Sequence, residues 1–170
     1  MFVAVDTFYY ENKAKTIAIT FNNWEDSTYS KYYSQELEIS ADYVSGEFYK
    51  RELPCILSIL KTINLDSIDA IIIDGYVYLD DFNKYGLGGH LYESLNRKIP
   101  IIGVAKTNFA SNNKNKMELL RGKSKNPLFI TSIGFDIFIA KENISKMFGK
   151  YRIPKLLKEL DQLTKEKNYG

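Results

Sequence analysis

Two short apolar runs in the middle of the chain constrain its fold more than any other feature of the sequence. Residues 70–73 read Ala-Ile-Ile-Ile and end at Asp74 and Gly75, and residues 99–105 read Ile-Pro-Ile-Ile-Gly-Val-Ala. Short runs without polar alternation are typical of strands that are buried on both faces of a parallel sheet. Because residues 87–96 between them have a helical pattern, the sequence predicts a strand, a crossover helix and a second, parallel strand.

The N-terminal part of the chain predicts an antiparallel meander instead. Phe2–Tyr10 and residues 16–21 mix aromatic and β-branched residues on either side of the polar Glu11-Asn12-Lys13, and the Tyr-rich residues 29–39 follow as a third strand. Apolar residues at helical spacing then predict a helix from about residue 48 to Ile63, with Pro54 inside it.

Beyond the second parallel strand, the sequence predicts further strands at residues 127–131 and 137–140, and helices at 142–148 and 154–167. The fold class is therefore α/β, with a mixed sheet in which a three-strand antiparallel meander is followed by parallel strands flanked by helices. The 170 residues, 45% of them hydrophobic, suit one core, so we expect a single domain over residues 1–170.

Composition narrows the class of protein. No run approaches the roughly 20 apolar residues of a membrane span and the N-terminus does not resemble a signal peptide, so we expect a soluble, cytoplasmic protein without membrane contact. Cys55 is the only cysteine and His90 the only histidine, which excludes an internal disulfide and a Cys/His zinc cluster. Any bound metal must be held mainly by carboxylates.

Charge is distributed unevenly along the chain. Residues 1–105 contain 9 Lys and Arg against 15 Asp and Glu, whereas residues 106–170 contain 14 against 6. This asymmetry suits an enzyme whose carboxylates bind a divalent cation while its lysines bind a polyanion such as a phosphate backbone. It is equally compatible with lysines that are simply solvated at the surface. One basic loop is a candidate phosphate contact, with the residues Lys114, Lys116, Arg121, Lys123 and Lys125.

Three carboxylates fall where the edges of predicted elements would bring them together. Asp6 lies in the first strand, Glu52 in the first helix and Asp74 at the end of a parallel strand, where ligand sites gather in α/β sheets. Two or three carboxylates are enough for Mg²⁺, which keeps several waters, and Lys106 after the next strand would offset charge on a phosphate. By spacing alone, an acid at a strand end is as often a helix cap or a surface residue.

Several motifs resemble those of the endonuclease V family. Tyr43, Val44, Ser45 and Gly46, followed by Arg51-Glu52-Leu53-Pro54, are similar to a Tyr-Ile-Pro-Gly-type wedge that precedes an Arg-Glu-x-Pro helix. Further segments resemble, in order, the family's Val-Asp-Gly, Gly-Leu-Ala-Ser-His-Leu, Gly-Val-Ala-Lys, Lys-Pro-Leu-Phe-Val-Ser and Tyr-Arg-Leu-Pro, at residues 73–75, 86–91, 103–106, 126–132 and 151–154. The resemblance spans nearly the whole chain.

This resemblance implies an RNase H-like fold and a Mg²⁺- or Mn²⁺-dependent endonuclease. Such an enzyme recognises inosine in DNA or RNA and cuts the second phosphodiester on its 3′ side, a role in nucleic-acid repair or processing. Asp6, Glu52 and Asp74 match the family's metal-binding acids, and Lys106 matches its active-site lysine. The wedge from Tyr43 to Gly46 would separate strands at the lesion, and Gly75 would lie near the base pocket.

The chain departs from the family pattern at several of these positions. Tyr76 and Val77 stand where the family has Gln-Gly, Ser45 replaces the wedge proline, and Phe135 replaces a histidine that contributes to the metal site. A shift of one residue would let Asp136 replace that ligand, although neighbours on a strand face opposite ways. The chain also lacks the usual helix before the first strand, so we expect a short, divergent member.

Two alternatives to a nuclease remain open on the sequence. The first is a catalytically impaired relative that binds nucleic acid without cutting it, because the change to Phe135 weakens metal binding. The second is a fold retained as a partner-binding module, which would show no salt-dependent binding to nucleic acid.

Overall fold

The N-terminal strands form the predicted antiparallel meander. The computed structural model of the protein describes residues 1–39 and 48–167, and the meander consists of β1 (Phe2–Tyr10), β2 (Lys13–Phe21) and β3 (Lys31–Glu38). β1 and β2 pair from Phe2 with Phe21 to Tyr10 with Lys13. Their connection is a tight turn in which Glu11 has a φ of 52°, and β3 pairs antiparallel with β2.

A helix packed on the sheet lies between the meander and the next strand. Helix α1 (Phe48–Leu60) contains Pro54, as predicted, and buries Ile56, Ile59 and Leu60. It ends before the predicted Ile63 because the chain tightens there, with the amides of Thr62 and Ile63 bonding to carbonyls three residues earlier. A short 3₁₀ turn at Leu65–Ser67 leads into the next strand.

The two apolar runs form adjacent parallel strands, as their composition predicts. β4 (Ala70–Asp74) pairs in parallel with β1, β5 (Ile101–Ala105) pairs in parallel with β4, and α2 (Leu87–Ser94) connects β4 to β5. β1, β4 and β5 therefore lie side by side and run in the same direction. β4 ends at Asp74 and β5 is followed by Lys106, so the C-terminal ends of these two strands lie beside Asp6 in the middle of β1.

The C-terminal third differs from the prediction in two places. β6 (Met117–Leu119) was not predicted; it pairs with β7 (Leu128–Ile133), which pairs antiparallel with β5. The predicted strand at residues 137–140 is wrong, since these residues form the first turn of α3 (Ile137–Lys146). The last helix is α4 (Lys155–Lys165). Across the described residues the sheet has seven strands in the order β3-β2-β1-β4-β5-β7-β6.

The sheet is buried between two helical layers. On one face, side chains such as Ile71, Ile73 and Ile101 pack against α1 and α2, and on the other, Ala4, Ile72 and Ile102 pack against α3 and α4. This two-sided burial explains why β4 and β5 have no polar alternation. Among residues 1–39 and 48–167, no helix is long and apolar enough to cross a membrane.

Candidate active site

Three predicted site residues converge where β4 and β5 end beside the middle of β1. Val5 pairs with Ile73 and Asp74 with Val104, so Asp6 and Asp74 follow neighbouring positions and Lys106 comes just beyond them. The Lys106 Nζ lies 3.5 Å from Oδ2 of Asp74. All three side chains line a cleft of about 30 Å³, which Ile153 and α4 close from the other side.

Asp6 is an unusually basic carboxylate. Its side chain is only 7% exposed. Burial and then the negative charge of Asp74 raise its pKa from 3.8 to about 7, against opposing effects of the Thr7 amide and Lys106. The Thr7 amide donates a hydrogen bond of 2.9 Å to the Asp6 Oδ1.

Glu52 brings a third carboxylate to this site from α1. Burial, and then the charges of Asp6 and Asp74, together raise its pKa from 4.5 to about 8. The electrostatic coupling means that the three acids lie within range of one another's charge, as the sequence predicts. Buried acids whose pKa values are raised by desolvation and by a neighbouring charge, as those of Asp6 and Glu52 are, are a common sign of a functional site.

Tyr49 and His90 hold the beginning of α1 against α2. The His90 ring stacks on Tyr49 with centroids 3.7 Å apart, and Tyr85 contacts it edge-on at 5.7 Å. Burial lowers the pKa of His90. The only histidine of the sequence thus packs between aromatic rings, and the stack fixes the helical turn that contains Glu52.

The donor chemistry of the site fits a hard divalent cation. Such a cation prefers oxygen ligands and would relieve the repulsion among three acids that face one lysine. The acids do not, however, form a ready-made ligand shell: in the part of the chain that the structure describes, no group of three His, Cys, Asp or Glu side chains is close enough to hold one ion. A cation would have to draw Asp6, Glu52 and Asp74 together.

Arg152 is a site-supporting residue that the sequence did not identify as functional. Its guanidinium donates hydrogen bonds to the backbone carbonyls of Lys106 at 2.6 Å, Pro127 at 2.9 Å and Asn126 at 3.0 Å. It therefore fixes the backbone that carries Lys106. The resemblance of residues 151–154 to a family motif was the one signal that singled out this position.

Asp136 has a structural role, whereas its predicted role as a replacement ligand stays a prediction. Its Oδ1 accepts hydrogen bonds from the amides of Phe138 at 2.8 Å and Ile139 at 3.1 Å, which caps the N-terminus of α3. Phe135, at the position of the family's histidine, packs against the core between the sheet and α3–α4.

The predicted nucleic-acid contacts fall partly outside the described residues. Tyr43, Val44, Ser45 and Gly46 lie in the stretch 40–47, which the structure does not describe. Gly75 directly follows Asp74 with a φ of 137°, and a Cβ built on it would have no neighbour within 4 Å. Its backbone thus borders open space beside the acids.

Arg121 is not part of an exposed basic loop, contrary to the prediction. It is only 5% exposed, and its guanidinium donates hydrogen bonds to carbonyls of Met147 at 2.6 Å, Gly149 at 3.0 Å and Tyr151 at 2.5 Å. Lys123 and Lys125 are exposed, as predicted.

Comparison with known proteins agrees with this architecture. The family model for Endonuclease V matches residues 1–148. Endonuclease V of Pyrococcus abyssi is 33% identical over 172 residues, which cover 96% of this chain and 78% of that protein. The catalytic domain of human endonuclease V has a TM-score of 0.76 at 19% identity, covering 96% of this chain and 80% of the human one.

A structure of Ciona intestinalis endonuclease V has a TM-score of 0.77 at 17% identity, covering 96% of this chain and 83% of that chain. It was solved with DNA that contains an inosine followed by a ribo-adenosine. The mixed sheet with flanking helices, shared with these structures, defines an α/β protein of the RNase H-like class. Within that class, the chain belongs to the endonuclease V family, a family of nucleases.

Proposed function

We propose that the protein is a Mg²⁺- or Mn²⁺-dependent endonuclease that hydrolyses a phosphodiester 3′ to inosine in DNA or RNA. The observation that carries this proposal is the coupled group of Asp6, Glu52 and Asp74 with Lys106 beside it. Membership of the endonuclease V family supports it. The motifs that contain these four residues resemble those that carry the family's metal-binding acids and active-site lysine.

The three acids would hold the cation, and Lys106 would act on the phosphate. A bound divalent cation supplies an activated water and neutralises charge on the phosphodiester. The Lys106 side chain, 39% exposed, can reach a phosphate oxygen from its position 3.5 Å from Asp74, where its charge offsets negative charge that develops during cleavage. Arg152 keeps Lys106 in place through its backbone carbonyl.

In this proposal the inosine base is recognised beside Gly75, at the position that resembles the family's base pocket. The Gly75 backbone is open at the edge of the acidic site, where a Cβ would meet no atom within 4 Å, so a flipped base would approach the site along it. Tyr76, which replaces the family's glutamine, is buried, and its hydroxyl donates a 2.7 Å hydrogen bond to the Thr107 carbonyl. The Tyr76 side chain therefore packs inside the protein, and contacts to the base would come from the neighbouring backbone.

A second candidate function is nucleic-acid binding without cleavage. Phe135 packs into the core where the family has a histidine, and the Asp136 carboxylate is engaged in capping α3. Without a ligand from Phe135 or from the capping Asp136, the site would bind its cation more weakly. This candidate predicts intact substrate under conditions in which the protein binds it.

Cleavage of a labelled deoxyinosine oligonucleotide separates the two candidates. We expect the wild type to cleave this substrate only with a metal, and to cleave a matched adenine oligonucleotide little. In Asp74→Asn the cleavage rate should fall by more than about a hundredfold, because removing even a residue that only hydrogen-bonds to a metal ligand lowers activity roughly 10- to 100-fold. Asp66→Asn, on the exposed 3₁₀ turn, is the matched control. Intact substrate with both metals, despite binding, would favour the second candidate.

A further inference from the structure

A large groove lies beside the candidate active site, between residues 148–153 and α4. Its volume is about 840 Å³, within the range of roughly 300 to 1,000 Å³ that is typical of ligand sites. Six of its lining residues define what is called here the basic groove: Phe148, Lys150, Tyr151, Arg152, Lys155 and Lys158.

The charge of the basic groove suits a polyanion. Four of its six defining residues are cationic, and Glu159, which pairs with Lys155 at 2.7 Å, is the acid that lines it with them. Lys150 and Lys158 are exposed, and neither forms an ion pair with another of the described residues. A neighbouring hollow adds Lys123 and shares Lys150 and Tyr151. The positive surface therefore continues beyond the groove.

Aromatic rings stand among these cations. Tyr151 is 70% exposed and Phe148 is 49% exposed, and the Lys150 Nζ lies 5.6 Å from the centre of the Tyr151 ring. A large exposed ring with lysines around it is the combination that binds single-stranded nucleic acid, in which bases stack on the rings and cations meet the phosphates.

The segment that presents Tyr151 is held in a fixed conformation. The buried Arg121 donates hydrogen bonds to the carbonyls of Met147, Gly149 and Tyr151. Gly122 helps, since a Cβ at this position would lie 2.2 Å from the Lys150 carbonyl oxygen. An exposed aromatic ring on a segment clamped from inside is preorganised for stacking, so less entropy is lost on binding.

The basic groove adjoins the candidate active site. Ile153 lines both the groove and the cleft that contains Asp6, Asp74 and Lys106. Arg152, within the groove, bonds to the Lys106 carbonyl. A strand whose phosphate lies at Lys106 would therefore meet the groove as it leaves the cleft.

We propose that the basic groove binds a single-stranded segment of the nucleic acid next to the cleavage position, with a base stacked on Tyr151 and phosphates at Lys150 and Lys158. This inference rests on the proposed function only in taking nucleic acid as the ligand. It requires neither cleavage nor a cation.

The test measures binding of the full chain to fluorescent single-stranded deoxyinosine oligonucleotides without divalent cations. Their tails are lengthened on the 5′ or the 3′ side of the inosine. We expect wild-type affinity to rise with tail length on one side, which gives the direction of the strand. Tyr151→Ala should bind the long-tailed oligonucleotide roughly fivefold or more weakly than the wild type does, and should bind the short-tailed oligonucleotide with the same affinity. Tyr32→Ala, 55% exposed on β3, is the matched control and should match wild type.

The salt dependence of binding tests the phosphate contacts separately. Lys150→Ala combined with Lys158→Ala should reduce the slope of log affinity against log salt by roughly 1.4, at about 0.7 per phosphate on a single strand. Lys61→Ala combined with Lys98→Ala, which removes two exposed lysines elsewhere, should leave the slope unchanged.

The proposal would be overturned if the affinity did not depend on tail length, or if Tyr151→Ala left the long-tail affinity unchanged. It would also be overturned if the wild type did not bind these oligonucleotides. Cleavage is measured separately. A protein that fails to cut the deoxyinosine oligonucleotide but shows the expected tail dependence contradicts the proposed function and supports the basic groove.

Discussion

At the scale of residues, Asp6 and Glu52 hold protons more tightly than free carboxylic acids do. Burial is the main cause for both, and the neighbouring carboxylates add to it, so that the pKa of Asp6 is about 7 and that of Glu52 about 8. Each acid binds a proton more tightly in the folded protein than in the unfolded chain. Folding without a cation is therefore coupled to proton binding.

This coupling predicts how the stability of the metal-free protein depends on pH. Because both folded pKa values lie above the unfolded values of 3.8 and 4.5, the stabilisation is complete below about pH 4 and is lost as pH rises through about 7 and 8. We expect the melting temperature in EDTA to fall between pH 5 and pH 9, roughly. Thermal melts across this range measure it.

Glu52→Gln provides the comparison for these melts, since the amide has no proton to lose. The variant should show a smaller fall in melting temperature over the same range, and saturating Mn²⁺ should stabilise the wild type most at the alkaline end. Parallel curves for wild type and Glu52→Gln would mean that Glu52 does not titrate as described.

Some residues of the site could be predicted from the sequence and others could not. Asp74 and Lys106 were identified because each ends or follows an apolar run and the ends of adjacent parallel strands meet, and the family motifs singled out Asp6 and Glu52 beside them. Arg121 and Arg152 bond to backbone carbonyls 25 or more residues away, and carbonyls leave no pattern in a sequence. Their roles therefore emerge only from the structure.

At the scale of elements, the start of α3 shows how local chemistry overrides composition. Residues 137–140, Ile-Phe-Ile-Ala, have the composition of a strand, but the Asp136 carboxylate binds the first free amides of a helix. β6 was missed for another reason, because its three residues are too few for an alternating pattern. Both errors concern short segments whose neighbours decide their conformation.

The cap predicts how substitutions at Asp136 behave. Asp136→Ala should destabilise the protein by about 1 kcal/mol, because two amides at the N-terminus of α3 lose their acceptor. Asp136→Ser keeps a capping oxygen but removes the carboxylate, so we expect nearly wild-type stability. Denaturant unfolding measures both variants.

The same pair of variants decides whether Asp136 is also a ligand. If it only caps α3, Asp136→Ser should bind Mn²⁺ and cleave as the wild type does. A serine variant that folds normally but loses Mn²⁺ affinity would instead support Asp136 as the replacement for the family's histidine.

At the scale of the whole molecule, the uneven charge of the sequence has a spatial counterpart. The three acids come from β1, α1 and β4 in the acidic part of the chain, and the basic groove comes from residues 148–158 in the basic part. The acidic site and the basic groove lie next to each other at Lys106 and Arg152, where the Arg152 guanidinium donates a hydrogen bond to the Lys106 carbonyl. The order of elements from β1 to β5 was predictable because hydrophobic periodicity records which face of each element is buried.

The central claim is that Asp6, Glu52 and Asp74 share one divalent cation, and proton release on Mn²⁺ binding tests it most directly. Calorimetric titration near pH 7, in buffers of different ionisation enthalpy, should give release of roughly one to one and a half protons, since Asp6 is about half protonated and Glu52 mostly so. The number should fall toward zero as pH approaches about 9, and Asp74→Asn should bind Mn²⁺ far more weakly. Binding without proton release, or equal binding by Asp74→Asn, would contradict the claim.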